Sequence, residues 1–384
     1  MNENELTNFL RTCTTPFHFL SYTKQLLTKI GFKELPEKEE WPELPTKGFV
    51  IRQTGAIIAY KYDSLESLFI ATTKYQPSMV YLSKDNYDRN MTSCNSRDIT
   101  MYQRPLKCSG YVTIRKDKIA DTILFDSGDD AVSFFPIPPT SKSESLSCDF
   151  HLYRSETDDD YSSVIIKYIS KKLSINENDI LDFHLNFTNH QGPSTFTDGV
   201  VASQNLNFMA PAFSSLQAFL CAEPKKQMNV FCAFYDKDNL IPNRSPSIYG
   251  NFLNSFVEKV FCLDFNKKYL EKSSCICIES FELDPHKSPN NMGDKIFLLY
   301  NELNKGSKED LNTDKKSSFN GSIDLNAFPK QKVDYRLNDS VIEENESIPS
   351  ICLGFPILSL NSIREYCKMT SISQLFDVLK AYYS

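Results

Sequence analysis

Residues 354–365 of the sequence read GFPILSLNSIRE. The first half of this stretch belongs to an apolar run, residues 351–358, that is typical of a buried strand. After the polar residues that follow it, residues 372–383 carry apolar side chains at helical spacing and predict a closing helix. The C-terminal part of the chain therefore reads as a strand followed by a helix.

A helix near the N-terminus is marked at both of its ends. Thr15 can cap residues 17–30, Pro16 fits the first turn, and Gly31 can end the helix. Strand patterns and two further helical patterns lie between this helix and the C-terminal one. The predicted strands are 48–52, 56–62, 68–72, 79–83, 228–234 and 274–281, and the predicted helices are 205–219 and 247–261. Strands that alternate with helices at both ends of the chain predict an α/β sandwich.

The middle of the chain has a different pattern. Residues 84–147 are mostly short strand patterns and end in a Pro- and Ser-rich stretch. We therefore predict a discontinuous α/β domain, residues 1–83 and 189–384, that is interrupted by an inserted β-rich domain, residues 84–188. Residues 304–318 are polar and poor in apolar side chains, which predicts a mobile loop.

The composition excludes several classes of protein. The chain has 384 residues, of which 41% are hydrophobic, so it can build a packed core. A net charge of −7 and the lack of a basic block argue against nucleic acid as a partner. No apolar run approaches the roughly 18 residues of a membrane span, and the acidic N-terminus is unlike a secretory signal. We therefore expect no membrane partner and a cytoplasmic location. Because the 11 cysteines do not cluster, we expect them to be reduced thiols.

The C-terminal stretch is one of several segments that together resemble one family. These are TPFH at 15–18, IGFKEL at 30–35, GFVIR at 48–52 and HLYR at 151–154. In this order they resemble the aspartyl aminopeptidases, a family of dinuclear zinc exopeptidases. Residues 354–365 follow the family pattern GxPQLSMHSIRE nearly residue by residue.

The resemblance implies both a fold and an assembly. The fold is a three-layer zinc-exopeptidase-like α/β sandwich with an inserted β-rich dimerisation domain. Members of the family form large homo-oligomers, so the implied partners are further copies of this chain or an active paralogue. Some fungal relatives are delivered to the vacuole as assembled particles, which adds the vacuole to the cytoplasm as an implied location.

Active members of this family hold two zinc ions with imidazoles and carboxylates. Carried over from the surrounding motifs, these positions hold other residues here. The first ligand His is replaced by Thr72, the bridging Asp by Asn207, and the C-terminal ligand His by Asn361. A looser alignment, anchored at Pro285, puts a further ligand position at Ile278.

The motif that supplies the catalytic base is also altered. It places Lys237 at the base and Asp238 at a ligand position, and a shift by one residue would make Asp238 the base and Asn239 the ligand. An ammonium group repels a divalent cation. The resemblance therefore implies no catalytic zinc and no other cofactor, and our hypothesis is that Lys237, paired with Asp236 or Asp238, stands in for the metal.

Four residues could belong to a retained pocket. Lys74 falls where an Asp would support the first ligand His, and Asp236 precedes the altered base. The family His that corresponds to His151 reaches the active site of a neighbouring subunit, and Arg364 could recognise an acidic group. For His151, a structural role on a strand is the simpler explanation. For Arg364, the simpler explanation is a buried ion pair.

The function that we favour is that of a catalytically inactive homologue, an oligomeric structural, scaffold or regulatory subunit. The first alternative is an active zinc metalloaminopeptidase with a remodelled site, which releases N-terminal Asp or Glu from peptides. The second is a module that binds acidic peptides without turnover, through Lys74 and Lys237.

Overall fold

A computed structural model describes most of the two ends of the chain and part of its middle. The described residues are 2–41, 43–52, 55–63, 67–77, 80–83, 104–117, 119–131, 134–137, 149–152, 161–226, 228–236, 252–253, 255–257, 259–260, 273–283, 295–300, 327–332 and 350–384. The predicted loop at 304–318 lies outside them.

The described elements are both helices and strands. The helices are α1 (Glu3–Thr12), α2 (Pro16–Lys29), α3 (Tyr161–Leu173), α4 (Leu206–Cys221) and α5 (Met369–Tyr383). The described residues between 252 and 260 are also helical. The strands are β1 (Lys33–Glu34), β2 (Lys47–Arg52), β3 (Ala56–Lys61), β4 (Leu68–Tyr75), β5 (Val80–Ser83), β6 (Leu106–Lys116), β7 (Ile119–Asp126), β8 (Phe134–Ile137), β9 (Asp149–Leu152), β10 (Ile180–Asn189), β11 (Ser194–Thr195), β12 (Val200–Ser203), β13 (Asn229–Asp236), β14 (Ser274–Glu282), β15 (Phe297–Tyr300), β16 (Lys330–Lys332), β17 (Ser350–Ile357) and β18 (Glu365–Lys368).

A nine-stranded mixed sheet forms the centre, in the order β1-β2-β3-β13-β4-β14-β17-β15-β16. Its four central strands, β13, β4, β14 and β17, are parallel to one another. Parallel strands need cover on both faces, so their residues are apolar almost throughout, as the buried patterns of β4 and β13 show.

Helices cover both faces of this sheet. Phe69 and Ala71 of β4 pack in a core with α1, α2, α4 and α5, on what we call the α4 face. Leu68 and Ile70 alternate onto the other side and pack with the helical residues of 252–260, on what we call the 252–260 face. The three-layer α/β sandwich predicted from the sequence is confirmed.

The end signals of α2 act as the sequence predicts. The Thr15 hydroxyl accepts a hydrogen bond from the amide of His18 at 3.2 Å, and Pro16 occupies the first turn. Gly31 has a φ of +88°, a left-handed conformation that favours glycine at the end of a helix. The side chain of His18 also bonds the Thr15 hydroxyl, through Nδ1 at 2.8 Å, so His18 has a structural role.

The inserted region contains a second sheet, in the order β5-β10-β6-β7. One of its faces packs on α3, a helix that the sequence patterns did not predict. β5 pairs with β10 in this sheet, so the strand at 80–83 joins the inserted sheet rather than the α/β domain. Smaller sheets are formed by β11, β12 and β18 and by β8 and β9.

A buried histidine lies where α2 meets this second sheet. The ring of His184 stacks on Tyr111, with centroids 5.7 Å apart, and meets the edge of Phe17 at the same distance. Burial lowers the pKa of His184 to about 4, although the carboxylate of Asp182 acts in the opposite direction. The junction is thus built around a neutral imidazole.

Within the described part of the chain, no helix is long and apolar enough to cross a membrane.

Candidate functional site

The candidate site lies at one edge of the nine-stranded sheet. The four parallel strands all end there, and ligands of open α/β sheets bind outside the carboxyl ends of such strands. Lys74 and Asp236 lie close to two of these ends. The loop before α4 and the loop after β17 bring Asn207 and Asn361 to the same region through one shared carboxylate.

That carboxylate belongs to Glu365, which is fully buried. Its Oε2 accepts a hydrogen bond from the amide of Asn207 at 2.8 Å, and its Oε1 accepts one from the amide of Asn361 at 2.7 Å. We call this arrangement the Glu365 clasp. It joins the first turn of α4 to the loop after β17, which lie far apart in the sequence and carry two of the positions that the sequence assigned to metal ligands.

The clasp also completes the N-terminus of α4. The N-cap residue Asn205 has a φ of +50° and makes no side-chain capping hydrogen bond. The first amides of a helix need acceptors, and a carboxylate is the favoured group at this positive end. Glu365 supplies that acceptor from another part of the chain.

A proline inside α4 fixes Asn207 from the opposite side. Pro211 has no amide hydrogen, so the carbonyl of Asn207, four residues earlier, loses its helical hydrogen bond. The hydroxyl of Ser280 on β14 donates to this carbonyl instead. The backbone of Asn207 is therefore held by both Glu365 and Ser280.

The side chain of Asn207 is held less completely. The residue is 5% exposed, and its Oδ1 has no hydrogen-bond partner among the described residues. A buried acceptor without a donor is costly. This neutral oxygen is open to a donor group, but it lacks the charge that a bridge between two cations requires.

A second polar pair lies on the 252–260 face. The ammonium Nζ of Lys74 is 2.6 Å from Oε1 of Glu279, and the two side chains are 22% and 16% exposed. Thr72 pairs with Cys277, so Thr72, Lys74 and Glu279 lie on one face by alternation. Among the described residues, Glu279 thus places an acidic side chain on the face of Thr72.

Ile278, the residue reached by the looser alignment, lies elsewhere. It pairs with Thr73 and packs in the core of the α4 face, where Thr73 bonds Ser215. The sequence analysis did not single out Glu279, because its partner Lys74 lies 205 positions away in the sequence. Only the register of β14 against β4 identifies the residue that reaches Lys74.

Asp236 is not brought together with Lys74. It is 1% exposed and pairs with Tyr75, so it alternates onto the α4 face. Its amide donates to the carbonyl of Gly55 at 2.8 Å. Gly55 has a φ of +115°, and a Cβ there would lie 2.7 Å from the Cβ of Asp236, so a glycine is required.

Arg364 turns away from the strand ends. Its guanidinium donates to the carbonyls of Gly192 and Ala202, both at 3.3 Å, and to the hydroxyl of Ser194 at 2.9 Å. These contacts tie it to β11, β12 and the turn before them. Neutral oxygens therefore hold the arginine, in place of the buried ion pair expected from the sequence.

The remaining positions named from the sequence are placed only in part. His151 lies in β9, which pairs with β8, and its side chain is outside the described residues. Lys237 and Asp238 also lie outside them. The hypothesis that Lys237 stands in for the metal stays a prediction.

The described side chains do not fit a dinuclear zinc centre. Zinc prefers imidazole, thiolate and carboxylate ligands. Of the assigned positions that the structure describes, Thr72 offers a hydroxyl and Asn207 and Asn361 offer amides, all neutral, and Ile278 is apolar. The carboxylate of Glu279 already accepts a hydrogen bond from the ammonium of Lys74, so it is not free to act as a ligand. Among the described residues, no group of three or more His, Cys, Asp and Glu side chains lies where it could hold a metal ion.

Comparisons with known proteins point to one family. In curated sequences, the chain is 23% identical over 430 residues to "Probable M18 family aminopeptidase 2" of Clostridium novyi, covering 99% of this chain and 98% of the relative. Among solved structures, yeast aminopeptidase 1 (Ape1) matches with a TM-score of 0.78 at 15% identity, covering 99% of this chain and 96% of that one.

A structure described as the S. cerevisiae mApe1 dodecamer matches with a TM-score of 0.77 at 15% identity, covering 99% and 95% of the two chains. These two structures support the fold. The family model "Aminopeptidase I zinc metalloprotease (M18)" matches residues 9–67 and 129–284, which together are more than half of the chain. This chain therefore belongs to the M18 aminopeptidase family.

Proposed function

We propose that this chain is a catalytically inactive member of the M18 family that acts as a self-assembling structural or regulatory subunit. The observation that carries the proposal is the Glu365 clasp. The clasp brings Asn207 and Asn361 together, and both residues carry neutral amides where the family motifs have metal ligands. A zinc hydrolase needs imidazole, thiolate or carboxylate ligands and a metal-bound water at this place.

The pair of Lys74 and Glu279 supports the same conclusion. A carboxylate that is already bonded to an ammonium at 2.6 Å is a poor ligand for a divalent cation. To form a zinc site, the protein would first have to break this pair. We therefore propose no zinc and no other cofactor.

Self-assembly is supported by the retained architecture. The chain covers nearly the whole length of a relative whose structure is described as a dodecamer. It also keeps a second sheet outside the α/β domain. We propose that its first partner is another copy of itself, with an active paralogue as the alternative partner in a mixed particle.

The cysteines support a cytoplasmic location. The eight described cysteines are all free, and seven of them are buried, as expected of a protein from a reducing compartment. Delivery to the vacuole as an assembled particle remains an extension of this proposal that rests on the family analogy.

Binding of acidic peptides through Lys74 is the weaker alternative. Its ammonium is already paired with Glu279, so an acidic peptide would have to displace an internal carboxylate. Peptide binding without turnover would therefore have to depend on residues other than Lys74.

A peptidase assay tests the proposal. The purified chain is incubated with zinc and with peptides that carry N-terminal Asp or Glu, beside an active aspartyl aminopeptidase as a positive control. We expect no release of the N-terminal residue above the buffer blank. Turnover that is abolished by a chelator and restored by zinc would establish the first alternative, an active metalloaminopeptidase.

A further inference from the structure

Three cysteines lie together on the 252–260 face of the nine-stranded sheet. Cys275 and Cys277 belong to β14 and Cys352 belongs to β17, and all three pack in the core of that face. The neighbouring strand β4 places the aliphatic side chains of Leu68 and Ile70 there instead. The thiols are therefore a local feature of two adjacent strands.

The strand register makes two of these cysteines direct neighbours. β14 and β17 are parallel, and Cys277 pairs with Cys352, whereas Cys275 pairs with Ser350. Neighbouring strands lie about 4.8 Å apart, which is within the range of Cα separations, about 4.4 to 6.8 Å, that disulfides span. Cys277 and Cys352 thus form a thiol pair, and Cys275 is a third thiol without a cysteine as its register partner.

The pair lies on the side of the candidate site. Cys277 also pairs with Thr72, the residue at the first ligand position, so the three side chains form one row across β4, β14 and β17. Cys277 and Cys352 are 6% and 7% exposed, whereas Cys275, one pleat further from the strand ends, is 0% exposed. A small oxidant that enters the candidate site therefore reaches the pair more easily than it reaches Cys275.

We propose that Cys277 and Cys352 are a redox site, which forms a reversible disulfide when the protein meets hydrogen peroxide. The thiolate of one cysteine attacks an oxygen of the peroxide, becomes a sulfenic acid and releases hydroxide. The thiol of the other cysteine attacks the sulfenic sulfur and releases water. In total two thiols lose two electrons and two protons, one peroxide is reduced to two waters, and one S–S bond forms.

The geometry of the pair makes this bond reversible. Side chains of register partners leave the sheet in nearly the same direction, so the two Cβ atoms are about as far apart as the strands. A relaxed disulfide has its Cβ atoms about 3.8 Å apart, about 1 Å closer than the strand spacing of about 4.8 Å. Closing the bond draws β14 and β17 together and stores strain, and strained disulfides are the ones that are reduced readily. The bond is thus a response to oxidation, and the thiol form is the resting state.

Peptide mapping of the oxidised protein tests this inference. The full-length protein is used in a Cys221→Ser background, because Cys221 is exposed and would link separate molecules. The folded protein is treated with a small excess of hydrogen peroxide, its remaining thiols are alkylated, and it is digested without reduction for mass spectrometry. We expect a link between Cys277 and Cys352, a loss of two thiols per chain, and recovery of both thiols with reduced glutathione.

Cys275 provides the matched control, since it lies on the same strand and the same face as Cys277. Cys275→Ser is expected to keep the link, and Cys277→Ser and Cys352→Ser are each expected to abolish it. The mapping of the protein with all three cysteines does not depend on whether these variants fold. A link from Cys275, a link that forms only in denaturant, or a treated protein that keeps all its thiols would overturn the redox site.

The inference goes beyond the proposed function, and its failure can be told apart from the failure of that proposal. An inactive protein without the link would overturn the redox site alone. A protein that forms the link and also cleaves peptides would support the redox site and contradict the inactive subunit. A link that resists reduced glutathione would contradict the strained, reversible bond.

Discussion

The backbone frame of the candidate site and its ligand positions differ in how they are held. Glu365 is fully buried and receives two amides, and Ser280 holds the carbonyl that Pro211 leaves open. At the ligand positions, Asn207 has a buried oxygen without a described partner and Asn361 is exposed. The frame is therefore held by contacts within the chain, whereas the side chains at the ligand positions are neutral amides that the chain holds less completely. This difference is the observation on which the proposed inactive subunit rests.

The largest effect should come from breaking the frame. In Glu365→Gln one of the two amides meets an NH2 group instead of an oxygen, and the charge at the start of α4 is lost. We expect a loss of about 3 kcal/mol in the free energy of unfolding, measured by urea denaturation. Glu282→Gln, at an exposed position at the end of β14, is the control and should change stability by less than about 0.5 kcal/mol. Equal small effects for both variants would remove the clasp from the account.

A second effect concerns the dependence of stability on acid at His184, where α2 meets the second sheet. His184 has a pKa of about 4 in the folded protein and an ordinary value of 6.5 when unfolded. Between these values the unfolded chain binds more protons, so stability falls as the pH falls from about 6.5 to about 4. Between pH 7 and pH 5 we expect a loss of up to about 2 kcal/mol from this residue.

His184→Phe keeps an aromatic ring against Tyr111 and should remove this part of the pH dependence. His190→Gln is the control, because His190 is exposed and its Nε2 bonds only the carbonyl of Asp129 among the described contacts. The same slope between pH 7 and pH 5 in His184→Phe and in wild type would show that the acid sensitivity arises elsewhere.

The elements of the candidate site also show what the sequence could and could not predict. The strands that carry Lys74 and Glu279, and the helix that carries Asn207, follow from apolar periodicity, and the three-layer fold follows from their alternation. α1 and α3 were missed, since one follows an acidic N-terminus and the other lies in a region read as strands.

The contacts within the site depend on long-range geometry that periodicity does not contain. The motif alignment found Asn207 and Asn361, but not that a single carboxylate joins their amides. It placed Asp236 and Lys74 in one pocket, whereas strand alternation puts them on opposite faces. The pairing of Lys74 with Glu279 spans 205 positions and is set by strand register.

A smaller effect should come from the charged pair at the ligand positions. Lys74→Met leaves Glu279 without its partner, and we expect a loss of roughly 1 kcal/mol, reduced by partial exposure of both groups. The double variant Lys74→Met with Glu279→Gln should recover most of this loss. A double-mutant cycle by urea denaturation measures the coupling, and a coupling near zero would mean that the pair contributes nothing.

The smallest effect is expected at Asn361. Its φ of +61° suits Asn or Gly, and its side chain is exposed. Asn361→Gly should therefore change stability by less than about 0.5 kcal/mol, whereas Asn361→Ala should cost about 1 kcal/mol from backbone strain alone. A large loss in Asn361→Gly, measured by thermal unfolding, would show that the amide itself contributes to the frame.

The central claim is that the frame persists without metal, and zinc content tests it most directly. The purified full-length protein is dialysed against zinc chloride and then against zinc-free buffer, and its metal is measured by elemental analysis together with its thermal unfolding. The account predicts a folded protein with zinc at the background level. About two zinc ions per chain, retained through dialysis and raising the unfolding temperature, would contradict it.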